Sequence, residues 1–130
     1  MDDIRIEVLK GKIITEILGK VGGSMMIFKT ENYKIYRLYH YQDRCEHVYI
    51  LDIVGNLDDL LDSPILLVEE VISKDKPEDP TIPEPEFPDD SQTWTFYKFS
   101  TIKGSVTVRW FGSSNGYYGE QVDFCELFSC

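Results

Sequence analysis

A short stretch of the chain, YHYQDRCEHVYILDIV, contains both histidines and one of the three cysteines. His40, Cys45 and His47 are residue types that bind zinc, which prefers imidazole and thiolate ligands. Zinc ligands usually arrive as tight pairs on turns, with a second pair elsewhere in the sequence. A second pair is missing here unless Cys125 lies nearby in the fold. The stretch therefore favours two strands joined by a charged turn, QDRCE, and we predict no metal site.

A cysteine nucleophile is the second chemistry that these residues could support. Cys45 and His47 are two positions apart, so on a strand they share a face and could form a thiol–imidazole pair. The sequence has no recognisable oxyanion-hole motif and no P-loop, HExxH, GxSxG or GxGxxG pattern. Paired acids can act as general acid and base, but 23 acids in 130 residues form pairs by chance. We therefore predict that the protein is not an enzyme and uses no cofactor.

The charge balance limits the kinds of partner. The chain carries 23 acids against 13 bases, a formal net charge of −10. Nucleic acids and anionic membranes are also negatively charged and repel such a protein, so we expect neither as a partner. A protein with a basic surface would be attracted to it. Solubility alone also explains the charge.

Length and terminal composition bound the class of protein. A chain of 130 residues corresponds to a single domain, residues 1–130. No apolar run approaches the ~18 residues of a membrane helix. The first residues, MDDIRIEVLKGK, are acidic and lack the apolar core of a signal peptide. An odd number of cysteines without a CxxC pair is typical of free thiols. These features predict a cytoplasmic location.

Alternating apolar and polar residues predict a mainly β fold. In the first half we expect an antiparallel meander. Its predicted strands are 12–18, 25–30, 33–41 and 47–54. In the last third, the pattern predicts a three-stranded sheet that packs with the meander. Its predicted strands are 93–100, 105–112 and 121–128.

Between these groups of strands, the sequence predicts a short helix and a loop. Asn56 is suited to cap a helix at about 57–62 through hydrogen bonds to free amide groups. Residues 65–73 could form a helix or a strand, and their β-branched content favours a strand. The helical alternative would give an α+β fold. Residues 74–92 are rich in proline and acids, which predicts a mobile loop that projects from the domain.

Two segments carry a resemblance to a known family. They are YRLYHYQDRCEHVYILDIVGNLDDLLDSPILLVEE and TWTFYKFSTIKGSVTVRWFGSSNGYYGEQVDF, about half of the chain. The chain resembles small proteins of unassigned function from phages and prophages of Gram-positive bacteria. In that family the turn often carries a cysteine pair where this chain has Arg44 and Cys45. The resemblance implies a phage or prophage origin and a bacterial host cell, and it assigns no activity.

That origin, together with the charge, leads to the main functional hypothesis. Small acidic phage proteins often bind host machinery, and some anti-CRISPR proteins mimic the charge of nucleic acid. We expect a protein that binds a basic surface on a host protein and inhibits or modulates it, for example a defence component such as a CRISPR nuclease. The acids expected to contact the partner are Asp58, Asp59, Asp62, Glu78, Asp79, Glu84, Glu86, Asp89 and Asp90.

Two other hypotheses remain open from the sequence. The chain could bind a small ligand such as a signalling nucleotide, if the predicted sheets bring arginines and tyrosines into one cleft. The residues of that site would be Arg37, Arg44, Arg109, Tyr117 and Tyr118. Alternatively, the chain could be a virion or assembly component that associates through exposed strand edges.

Overall fold

The computed structural model describes residues 5–127. These residues form eight strands and two single 3-10 turns, which confirms the predicted mainly β class. The strands are β1 (Ile14–Leu18), β2 (Met25–Thr30), β3 (Ile35–Tyr39), β4 (His47–Val54), β5 (Leu67–Ser73), β6 (Ser91–Thr101), β7 (Gly104–Ser114) and β8 (Asp123–Glu126). The 3-10 turns are Ile6–Leu9 and Leu57–Leu60.

The strands form two antiparallel sheets that exchange strands between the halves of the chain. The first sheet has the order β1-β2-β3-β8, and the second has the order β4-β7-β6-β5. Two details therefore differ from the expected arrangement. The fourth strand leaves the meander and pairs with β7, and the last strand pairs with β3 instead of β7. Each sheet needs an apolar inner face opposite the other, and this exchange places strands from both halves of the chain on each side of the core.

The inner faces of the two sheets share one hydrophobic core. Side chains alternate along each strand, so the inner faces of the two sheets supply most of this core. Phe28 of the first sheet contacts Phe99 of the second with ring centroids 5.6 Å apart. Leu9, Leu60 and Ile65, which lie outside the strands, are also fully buried in this core. Burying such a side chain contributes about 1.5–3 kcal/mol each, so packing between the sheets fixes their relative position.

A β-bulge at Leu51 sets which residues of β4 face outward. The register passes from Ile50 opposite Trp110 to Asp52 opposite Arg109, which leaves Leu51 as an extra residue. A bulge of this kind shifts the alternation by one position. Ile50 therefore points into the core, whereas Leu51 and Asp52 both face the outer side.

The acidic loop, residues 74–90, lies along the outer face of the second sheet. Ile82 in this loop is buried with Leu51, Trp94 and Phe111 in a second, smaller cluster. The expected projection of the loop from the domain is therefore wrong, because an apolar side chain and several polar ones attach it to the sheet. Its expected mobility stays a prediction.

The connection between β4 and β5 agrees in part with the prediction. Asn56 accepts a hydrogen bond from the amide of Asp58 at 3.0 Å, as predicted for a helix cap. The expected helix over 57–62 is only one 3-10 turn, because Leu61 already has an extended conformation. Strand β5 runs through Leu67–Ser73, so the strand prediction for 65–73 is confirmed and the helical alternative is wrong. Cys45 is a free thiol as expected, whereas Cys125 is disulfide-bonded.

Candidate functional site

Arg109 attaches the acidic loop to the second sheet. Its side chain is almost fully buried and forms two hydrogen bonds of 2.6 Å to the two carboxylate oxygens of Asp52. The same guanidinium donates to the hydroxyl of Thr81 at 3.1 Å and to its carbonyl oxygen at 3.2 Å. Its remaining N–H lies 3.4 Å from a carboxylate oxygen of Asp79. A guanidinium has five N–H donors, and all five are directed at these partners.

The electrostatics of this group follow from those contacts. The hydrogen bonds that Arg109 donates to Asp52 raise the pKa of Arg109 above its ordinary value, although burial opposes this. The pKa of Asp79 is lowered, mainly by hydrogen bonds from the side chain and backbone of Thr81. Arg109 is therefore a structural cation whose donors are occupied. We call Arg109, Asp52, Asp79 and Thr81 the arginine clamp.

The far part of the loop is attached near the start of β4. The amide of Glu86 donates to the hydroxyl of Tyr49 at 3.0 Å. The hydroxyl of Ser113 donates to the carbonyl oxygen of Phe87. The ring of Phe87 stacks on His47 with centroids 4.4 Å apart. These contacts, with Ile82 and the arginine clamp, fix the loop to the sheet at several points along its length.

The attached loop turns most of its acids toward solvent. Within the described part of the chain, the carboxylates of Glu78, Glu86, Asp89 and Asp90 are exposed and form no hydrogen bond or ion pair. Glu84 is exposed and paired with Lys76 at 2.5 Å, and Asp79 is partly used by the clamp. The loop therefore presents a band of free negative charge on the outer side of the second sheet. We call these six residues the loop acids.

The other predicted contact acids lie elsewhere. Asp58, Asp59 and Asp62 surround the second 3-10 turn, where Thr101 at the end of β6 donates to the carbonyl oxygen of Asp59. Asp89 and Asp90 directly precede the opposite end of β6, which is 11 residues long. At about 3.4 Å per residue, the length of β6 separates Asp89 and Asp90 from the second 3-10 turn by roughly 35 Å. The structure does not bring all predicted acids into one surface.

The two histidines, His40 and His47, have different surroundings. His40 is buried, with one ring nitrogen 2.8 Å from the carboxylate of Glu46 and the other 2.7 Å from the carbonyl oxygen of Gln121. Both ring nitrogens therefore lie within hydrogen-bond distance of an oxygen. His47 is exposed on the outer face, stacked on Phe87.

The carboxylate of Glu46 closes the turn between β3 and β4. Burial opposes its ionisation, but hydrogen bonds from His40 and from the amides of Asp43 and Arg44 outweigh this and lower the pKa of Glu46 to about 2. The two amide bonds are 2.7 and 2.8 Å long. Within residues 5–127, no group of three histidine, cysteine or acidic side chains could hold a metal ion. The hydrogen bonds of Glu46 stabilise the turn between β3 and β4.

A second buried carboxylate lies beside the loop that follows β7. Burial opposes ionisation of Glu120, but hydrogen bonds from Ser114, Thr93 and Ser91 lower its pKa. The hydroxyl of Thr93 donates to Glu120 at 2.7 Å and accepts from the ammonium of Lys74, also at 2.7 Å. This network joins β6, β7 and the start of the acidic loop. Its groups are satisfied by one another, which is typical of a structural network.

The residues of the alternative ligand site do not form one cleft. Arg37 lies on the outer face of the first sheet, where its guanidinium carbon is 3.9 Å from the ring centroid of Tyr39. Arg109 is on the outer face of the second sheet, so the core separates the two arginines. Arg44 lines a cavity of about 410 Å³ with Cys45, His47 and Phe87.

The tyrosines of that alternative site lie in the loop after β7. Tyr117 and Tyr118 are 5.2 Å apart by ring centroids. Tyr118 lines a smaller cavity with Cys45 and Asp89, on another side of the turn. Only Arg44 among the predicted ligand residues lines the larger cavity.

Comparison with known proteins assigns a family but no activity. Residues 7–124 match a domain of unknown function, DUF7448, and the chain therefore belongs to that family. No curated protein matches the chain, and no solved structure matches it. Within residues 5–127, no helix is long and apolar enough to cross a membrane.

Proposed function

We propose that this DUF7448 domain is a binding protein that acts on a basic surface of another protein through its loop acids, and that it catalyses no reaction. The observation that carries the proposal is the attachment of the acidic loop. A loop attached by the arginine clamp, Ile82 and Phe87 presents its carboxylates along the outer face of the second sheet. Attachment of the loop backbone would reduce the entropy cost of association compared with a segment that is free of the domain.

The buried polar groups also support a binding role. Residues with perturbed pKa values often mark active sites, but structural networks perturb pKa values as well. Here Glu46, Glu120 and Arg109 each have a shifted pKa, and each is surrounded by internal hydrogen-bond partners. The exposed loop acids, by contrast, are available to a partner.

The finer identity of the partner follows from the resemblance to phage and prophage proteins. We infer a bacterial cytoplasmic partner, with a host-defence component such as a CRISPR nuclease as the leading class. A protein that binds nucleic acid carries a basic groove, and a band of carboxylates can occupy such a groove by charge complementarity. Binding there would inhibit or modulate the host protein.

Three variants with equal changes in charge test the surface. The loop variant replaces Glu78, Asp89 and Asp90 with the corresponding amides. The corner variant replaces Asp58, Asp59 and Asp62, and the control variant replaces Glu7, Glu16 and Glu31, all by amides. Each variant removes three negative charges, so each changes the overall field equally.

The measurement is the association rate with the partner, which is first identified by cross-linking in the bacterial host. We expect the loop variant to slow association about tenfold at low salt, and the control variant about twofold. Both differences should shrink at 0.5 M salt, where the Debye length is only about 4 Å. Equal effects of all three variants, or association that does not respond to salt, would contradict the proposal.

A further inference from the structure

One strand edge of the second sheet is not covered by the acidic loop. β5 is the outermost strand and pairs with β6 along its whole length, from Leu67 opposite Ser100 to Ser73 opposite Trp94. Within residues 5–127, its other side has no strand partner. Such an edge presents a row of unpaired backbone N–H and C=O groups, which can pair with another strand.

The other three sheet edges are short or carry a backbone contact to a neighbouring segment. A bridge between Ile13 and Pro64 lies beside β1, and the amide of Asp62 donates to Ile14 at 2.8 Å. The amide of Gly22 donates to the carbonyl oxygen of Ile50 in β4 at 2.8 Å, and the amide of Ile50 donates back to Gly23. β8 has only 4 residues. Among the described edges, β5 is therefore the long one whose outer side has no backbone hydrogen bond to a neighbouring segment along Leu67–Ser73.

The side chains of β5 combine apolar and acidic character at this edge. Val71 and Ile72 are each 58% exposed, which is high for apolar residues in a strand. Glu69 and Glu70 precede them and are also exposed. Because alternate residues face opposite sides, Glu69 and Val71 share the outer face. Glu70 and Ile72 share the core side, where Glu70 hydrogen-bonds Tyr97 and lies near the 3-10 turn Ile6–Leu9.

We propose that the β5 edge binds an extended basic segment of a partner protein by strand addition. Backbone hydrogen bonds would supply affinity, and side chains would supply specificity. The segment would carry two adjacent lysines or arginines opposite Glu69 and Glu70. Two adjacent apolar residues would lie opposite Val71 and Ile72.

A basic segment fits this edge better than a second copy of the chain does. Each copy carries a net charge of −10, so two copies repel each other, whereas a basic segment is attracted. The proposal rests on the proposed function in its choice of a basic partner, but it uses a different surface from the loop acids.

Synthetic peptides test the edge directly. Two blocked peptides carry a central Lys-Lys-Val-Val or Val-Val-Lys-Lys sequence, matching parallel and antiparallel addition, and binding is measured by fluorescence anisotropy. We expect one of them to bind, and Glu69→Lys to weaken that binding about tenfold. Glu31→Lys, which makes the same charge change in the turn between β2 and β3, should weaken it about twofold. Failure of both peptides to bind, or equal effects of the two substitutions, would overturn the proposal.

Backbone pairing has its own control, which leaves the protein unchanged. The binding peptide is N-methylated at one or the other alternate set of amides, since only one set faces the edge. We expect one set to abolish binding and the other to retain it. Retained binding with both sets would overturn strand addition. Dimerisation of the protein alone that Glu69→Lys abolishes would assign the edge to a second copy and also overturn it.

The full partner separates this proposal from the proposed function. A partner that binds the loop variant normally but not Glu69→Lys would refute the loop surface and support the edge. Normal binding of Glu69→Lys together with weak binding of the loop variant would overturn the edge alone.

Discussion

Replacing Arg109 with lysine should loosen the acidic loop and destabilise the protein. The five N–H groups of Arg109 are directed at acceptors in three residues, and its two shortest hydrogen bonds are those of 2.6 Å to Asp52. Lysine keeps the positive charge but has a single nitrogen with three donors. It cannot bridge both oxygens of Asp52 and still reach both oxygen atoms of Thr81.

The magnitude follows from the hydrogen bonds that lysine cannot form. Lysine can retain at most three of the five hydrogen bonds, so at least two are removed, and a hydrogen bond to a charged group contributes about 1.5–3 kcal/mol. Asp52 keeps a positive partner, and its side chain is 22% exposed, so water can replace part of this stabilisation. We therefore expect Arg109→Lys to lower the free energy of unfolding by about 3 kcal/mol.

Two measurements check this expectation. Urea unfolding can be followed by the fluorescence of Trp94 and Trp110, which are buried. A glutamate-specific protease that cleaves after Glu78 or Glu86 reports opening of the loop in the folded protein. We expect cleavage of Arg109→Lys to be faster than that of the native protein under conditions where both remain folded.

The control is Asp79→Asn. Asp79 contributes only the 3.4 Å contact to Arg109, and its side chain is 47% exposed, so this change should cost less than about 1 kcal/mol. An Arg109→Lys protein that is destabilised by less than about 1 kcal/mol, or whose loop is cleaved no faster, would show that the arginine clamp does not hold the loop.

Two further predictions concern the turn between β3 and β4 and the end of β4. Glu46→Gln should destabilise the protein by about 3 kcal/mol at neutral pH, because the neutral amide has one acceptor oxygen where the buried carboxylate has two for His40 and the amides of Asp43 and Arg44. The native pKa of about 2 lies below the usual value of 4.5, so this stabilisation is present above pH 4.5 and lost as the pH falls toward 2; urea midpoints that differ equally at pH 7 and pH 2.5 would contradict it. Gly55→Ala should cost about 1–3 kcal/mol, since Gly55 has φ +106° and an added Cβ would lie 2.6 Å from the carbonyl oxygen of Ser105; a thermal melt unchanged from the native protein would refute that.

The sequence determined the class of fold and most strand positions. The strands at 25–30 and 47–54 have the predicted bounds, because alternation of apolar and polar residues is a local property that one segment shows by itself. The cap at Asn56 was likewise readable from its side chain and neighbours. The net charge and the absence of common catalytic motifs could also be read from the sequence alone.

Only the tertiary structure decided which strands pair and which charges remain free. Alternation of apolar and polar residues predicts that a segment is a strand but not which strand it pairs with. The pairing of β4 with β7 and of β8 with β3 was therefore not predictable from the local pattern. Arg109, assigned to a ligand site from its sequence, became the centre of a clamp because the bulge at Leu51 turned Asp52 toward it. The partner of a buried charge depends on what the topology places opposite, often many residues away in the chain. The sequence therefore gives the number of charges, and folding determines which of them reach solvent.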